Sequence, residues 1–180
     1  MSDIVSKIAD MEADDSARGA AAFRNISYIR KGMNVQRFHT TNLIVGETVG
    51  HHSANVAMLC MQILPECRVE LVAAALSHDL AEQYTGDVPA QAKWASASLK
   101  AALDNMEDQY QRFSYDLTAN ELRVLKQADM LDLCFKCLDE LHMGNRTVLP
   151  MLHRGIHWLR HNNPFTVTNY LIREIQHECE

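Results

Sequence analysis

The sequence predicts an all-α fold, on three observations. Apolar residues recur at helical spacing along most of the chain, only 4 prolines and 7 glycines interrupt its 180 residues, and no low-complexity run or internal repeat appears. The periodicity gives helices at Asp3 to Asp14, Ala17 to Lys31, His52 to Leu64, Val69 to Gln83, Ala90 to Arg112, Ala119 to His142, Arg146 to His161 and Pro164 to Glu178. Thr118 and Glu121 spell a capping box ahead of Leu122, Val124 and Leu125. Asn163 and Pro164 read as an N-cap followed by proline at the first helical position, and Gly144 as the stop after His142. The span from Gly32 to Gly50 is the longest piece without helical signal, and long ordered loops are often functional.

Composition bounds the function. With 47% hydrophobic and 22% charged residues, the chain reads as one domain over 1–180. No stretch reaches the roughly 20 apolar residues of a membrane span, and Met1 to Ile4 open no signal-like segment, so a cytoplasmic protein is expected. A net charge of -6 speaks against a nucleic-acid polymer as partner, because neutralising many phosphates needs clustered Lys and Arg. Five scattered cysteines fit reduced thiols rather than a disulfide framework.

Several polar residues stand where periodicity puts core side chains. Asp129 falls between Leu125 and Leu133 in the stripe Leu122, Leu125, Leu133, Cys137, Leu141. His52 leads Val56, Leu59 and Ile63, and His78 continues Leu71, Ala74 and Ala75 with Asp79 beside it. A buried carboxylate must be paired or metal-bound, and imidazole plus carboxylate is a ligand set for a divalent first-row metal. Glu82, one helical turn past His78, points at the same site and is the candidate general acid or base.

Taken in order, Arg37-Phe38-His39-Thr40, Glu47-Thr48-Val49-Gly50-His51-His52-Ser53, His78-Asp79-Leu80-Ala81-Glu82, Thr85-Gly86-Asp87-Val88-Pro89 and Lys126-Gln127-Ala128-Asp129 resemble the HD-domain phosphohydrolases. The nearest resemblance is to bacterial 5′-deoxynucleotidases and to small phage HD phosphohydrolases, including dATP triphosphohydrolases. It covers about Ile29 to His142, with the helices of 146–178 packing on that core. It implies a single HD-domain bundle whose divalent metal (Zn, Co, Mn or Mg) is held by His52, His78, Asp79 and Asp129. It further implies catalytic roles for Glu82 and Asp87, phosphate contacts from Arg37 and Lys93, and Phe38 against the deoxyribose.

Three positions depart from the family pattern. Phe38 replaces a frequent tryptophan, Gln91 replaces the second proline of P-x-P and brings an amide to the base pocket, and His51 replaces a common glutamate. Either histidine of the pair could then bind metal, and Ser53 with the stripe from Val56 favours His52. The expected substrate is a deoxynucleotide: dATP by the phage resemblance, or a deoxynucleoside monophosphate by the bacterial one. A non-catalytic nucleotide-binding module is the reading from another class.

Other features read as structural. Cys134 and Cys137 are core residues, Trp94 and Trp158 are packing residues, with Trp94 alternatively a lid, and His153, His157 and His161 lie on a solvated or subunit-facing surface. Trp158, Phe165, Tyr170 and Ile172 suggest a homo-oligomer, most simply a dimer.

Overall fold

The computed structural model describes the backbone of residues 2–179 and the side chains of residues 14–179. Its helices are α1 (Ser2–Met33), α2 (Val49–Ile63), α3 (Val69–Ser77), α4 (Ala90–Ala95), α5 (Ala97–Tyr110), α6 (Ala119–His142), α7 (Leu149–His161) and α8 (Thr166–Glu178). Short strands β1 (Gln36–Arg37) and β2 (Glu47–Thr48) pair antiparallel, with Arg37 opposite Glu47. The all-α expectation holds, and the ladder is the one regular element between the end of α1 at Met33 and the start of α2 at Val49.

The core lies where α2 packs on α3 and α6, and where α6 in turn packs on α7 and α8. Val56, Cys60, Leu71, Leu131, Leu152, Leu159 and Ile172 fill it, together with Cys134 and Cys137, whose thiols burial pushes up to about 12. Gly155 lets α7 approach: a Cβ there would meet Cys134 Sγ at 2.8 Å. No described helix is long and apolar enough to cross a membrane.

The Thr118 and Glu121 capping box forms, and Gly144 ends α6 at φ +91°. Other boundaries differ from the sequence expectation. The first two predicted helices are one, because nothing between Asp14 and Ala17 breaks a helix. The predicted helix from Val69 to Gln83 stops at Ser77, and Leu80–Gln83 form a 3-10 turn. Gln111 Nε2 donates to the carbonyls of Ser77 and His78, satisfying groups that a continuing helix would have paired. α1 presses on the same break, since a Cβ at Gly32 would meet the Leu80 carbonyl at 2.7 Å.

The predicted helix from Ala90 to Arg112 breaks at Ser96, whose extended backbone and hydroxyl cap α5. Asn163 is not an N-cap. It sits at φ +51°, and α8 starts two residues past Pro164. The buried Gln127 amide sets this corner: Nε2 donates to the carbonyls of Asn162 and Asn163, while Oε1 accepts from Phe165 N and the Thr168 hydroxyl.

The buried side of α6 also lies to one side of the predicted stripe. Val124, Gln127, Ala128, Leu131 and Asp132 are buried, Leu122 is 45% exposed, and Leu125, Asp129 and Leu133 form a half-buried edge. That edge faces a cleft.

Candidate active site

His52, at the start of α2, is fully buried. Its Nδ1 lies 2.6 Å from Asp132 Oδ2, one turn along α6 from Asp129. Its Nε2 lies 3.2 Å from Asp129 Oδ1 and 3.5 Å from Asp79 Oδ2. His78 is the C-cap of α3, and its Nδ1 donates to the Ala75 carbonyl at 2.8 Å. A carbonyl can only accept, so this contact fixes the tautomer and leaves the Nε2 lone pair free. That Nε2 lies 3.3 Å from Asp79 Oδ2. Both Nε2 atoms are buried without a hydrogen-bond partner.

These separations suit a coordination shell. Metal bonds of about 2.1 Å put neighbouring ligand atoms roughly 3.0 Å apart in an octahedron and roughly 3.4 Å in a tetrahedron. Ligand atoms of His52, His78 and Asp129 all fall within 4.8 Å of one another, and Asp79 reaches both imidazoles. His51 is exposed and outside this cluster. The break after Ser77 is what lets the adjacent His78 and Asp79 turn toward one point, so Glu82 reaches the site through a 3-10 turn and not a continuous helical turn.

The side chains tune one another. Burial opposes the charging of His52, but Asp129 and Asp132 carry its imidazole up to about 9. Burial opposes ionisation of Asp129, and the His52 contact and neighbouring cations overcome it, holding the carboxyl below its usual range. Burial, then the charges of Asp79 and Asp87, push Glu82 up to about 9 against Arg37 and Lys93.

The loop from Arg37 to Glu47 brings a cation to this cluster. Arg37 Nη1 lies 3.3 Å from Asp79 Oδ2, and Nε lies 3.5 Å from Glu47 Oε2 across the strand pair. Phe38 sits at φ +55°, a costly backbone for an aromatic residue, and its N–H donates to Asp87 Oδ2 at 2.8 Å. Asp87 therefore ties the turn after Gly86 to the Arg37-Phe38 segment. The far end of the loop is held by Glu140, which accepts from the N–H groups of Ile44 and Val45.

A cleft of about 760 Å³ opens over the cluster, lined by Arg37, Phe38, Asp79, Glu82, Asp87, Gln91, Lys93 and Asp129. Every residue predicted for the site lines it, apart from His52 and His78 at its base. Lys93 Nζ is loosely paired with Glu107 Oε1 at 3.9 Å.

Sequence reasoning missed several contributors. Asp132 drew no role from the sequence, although its i+3 spacing from Asp129 was a usable signal. Glu47 stood in a quoted motif without a role. Glu140 gave no signal, because its partners lie in a distant loop. His153, Arg154, His157 and His161 are exposed, as expected of a solvated surface, and they line the cleft wall together with Trp158, which was expected to be a packing residue.

Comparison with known proteins bears on the family and the fold. The family model described as 5′-deoxynucleotidase YfbR-like matches residues 24–179. A 5′-deoxynucleotidase of Citrobacter koseri is 29% identical over 130 residues, covering 57% of this chain, and the chain spans 65% of that relative's length. An HD-domain phosphohydrolase of Listeria innocua superposes with a TM-score of 0.62 at 15% identity, covering 87% of each chain. A cyanophage S-2L HD phosphohydrolase, solved with dA and one catalytic Zn2+ ion, superposes with a TM-score of 0.60 at 15% identity, covering 85% of this chain and 95% of that one.

Proposed function

Because the chain belongs to the YfbR-like family of 5′-deoxynucleotidases, we propose that it is a divalent-metal-dependent phosphohydrolase that releases the 5′-phosphate of 2′-deoxynucleoside monophosphates. The observation that carries this reading is the pair of buried, unpartnered Nε2 atoms of His52 and His78 facing the carboxylates of Asp79 and Asp129. Those four residues would hold the cation, and two imidazoles among the donors favour Zn, Co or Mn over Mg. When bound, the cation supplies Lewis acidity and makes water a better nucleophile near neutral pH.

The chain's own residues do the rest. Arg37 and Lys93 meet the phosphate oxygens and offset charge that builds as the water oxygen bonds to phosphorus. The P–O5′ bond breaks, and Glu82, whose burial favours the protonated carboxyl, donates a proton to O5′. The proton released by the attacking water restores Glu82. Phe38 packs against the sugar, where a 2′-hydroxyl would lose water without gaining a partner. Asp87 serves this site by fixing the Phe38 backbone.

The dATP triphosphohydrolase reading has weaker support. The cyanophage protein shares the fold at 15% identity, whereas the family match and the bacterial relatives point to 5′-deoxynucleotidases. Phosphate release, with separated products, from deoxynucleoside monophosphates, ribonucleotides and dNTPs under several metals tests the proposal. Release from deoxynucleoside monophosphates is expected. Release of triphosphate from dATP with dAMP untouched would reinstate the other reading, and metal-bound protein inert on the whole panel would favour a binding module.

Self-association is a weaker proposal than the sequence suggested. Ile172 is buried in the core, Phe165 lies under the Arg123 guanidinium, and Trp158 lines the cleft, leaving Tyr170, 54% exposed, as an outward apolar group. Light scattering at micromolar concentration decides whether a dimer forms.

A further inference from the structure

We infer that the face of α7 bearing His157, Trp158 and His161, together with Trp94 of α4, forms the nucleobase-binding end of the cleft. This rests on the proposed function, in which the cleft holds a deoxynucleotide, and adds the wall that receives its base.

The placement of α7 is the first observation. Gly155 lets it settle onto α6, and a Cβ at that glycine would also lie 3.5 Å from the sulfur of Met130, the residue after Asp129. The α7 face thus rises beside the ligand-bearing edge of α6 and lines the same cleft.

The chemistry of the two ends differs. Around Arg37, Lys93 and the carboxylates the cleft is charged. Along α7 it offers imidazole rings and an indole, and the rings of His157 and His161 lie 4.1 Å apart. Flat π surfaces suit a flat, uncharged ring system, whereas a phosphate chain needs permanent positive charge. Among the described residues of α7 that line the cleft, Arg154 supplies that charge.

Trp94 gives an independent observation. It is 65% exposed on a six-residue helix, forms no aromatic pair among the described residues, and lines the cleft. An indole left in water at the mouth of a ligand cleft is a stacking surface for a base. His161 adds a polar handle. Its Nδ1 donates to the His157 carbonyl at 2.7 Å, which leaves Nε2 as an acceptor for an exocyclic amine.

The sequence contains two tryptophans, and both line the cleft, so intrinsic fluorescence reports on this site directly. With zinc-loaded full-length protein, deoxyadenosine and thymidine should change the fluorescence saturably, and deoxyribose 5-phosphate, which lacks a base, should not. His157→Ala and Trp94→Ala, both at exposed positions, should raise the nucleoside Kd about tenfold while bound zinc per chain stays at the parental level. Trp158→Leu should do the same if its circular dichroism is parental. Absence of saturable nucleoside binding, parental Kd values in the exposed variants, or selective loss of inorganic triphosphate binding would overturn the assignment. Phosphate release from dAMP separates the two proposals. Release by the parent with variant-insensitive nucleoside binding sinks the base wall alone, and no release with variant-sensitive binding sinks the phosphohydrolase alone.

Discussion

Asp132 Oδ2 stands 2.6 Å from His52 Nδ1, so the imidazole is gripped from behind and presents Nε2 to Asp129 and Asp79. A carboxylate behind a ligand histidine orients the ring and raises its basicity, and removing such a partner typically weakens metal binding about 10- to 100-fold. Asp132→Ala should show a loss of that size in a zinc titration followed by calorimetry. Parental affinity in a folded Asp132→Ala protein would assign Asp132 to packing alone.

His78→Ala and Asp129→Ala remove ligands themselves, and each should lose bound metal and nearly all phosphate release. Elemental analysis of the purified variants checks the first outcome. Either variant retaining one metal per chain and full activity would break the proposed ligand set.

Glu82→Ala should keep its metal and lose turnover by about 100-fold or more, the usual size of a general acid or base contribution. Its Oε2 is buried without a hydrogen-bond partner. Loss of metal in step with activity would make it a ligand instead.

Phe38→Ala should narrow the preference for deoxyribonucleotides. An unpaired buried hydroxyl costs roughly 1 to 3 kcal/mol, so about ten- to a hundredfold discrimination is at stake in that contact. The ratio of kcat/KM for dAMP and AMP measures it, and an unchanged ratio would move sugar selection elsewhere.

Glu140 should make stability depend on acid pH. Burial opposes its ionisation, but bonds from Asn145, the Ile44 and Val45 N–H groups and Lys136 bring it from 4.5 to about 2. A folded value below the unfolded one means the contribution is fully present above about 4.5 and is lost as pH falls toward 2. Denaturant unfolding from pH 6 to 2.5 should therefore show a slope that Glu140→Gln flattens. Equal slopes in the two proteins would remove Glu140 from acid stability.

By itself the sequence determined the helical class, the Thr118 capping box, the Gly144 stop and one part of the cleft lining, from Arg37, Phe38, Asp79, Glu82, Asp87, Gln91, Lys93 and Asp129. All of these follow from local periodicity, cap chemistry or short motifs, which are written within a few neighbouring positions. The tertiary structure decided the rest. The helix break at His78 depends on Gln111 and Gly32, and the corner at Asn163 depends on Gln127, each far away in the chain. The same holds for the grip of Asp132 on His52, the anchoring of the Arg37 loop by Glu140, and the turning of the α7 histidines into the cleft. A helical pattern states which residues share a face, but it cannot state what that face meets, because the partner comes from packing between segments that the pattern describes one at a time.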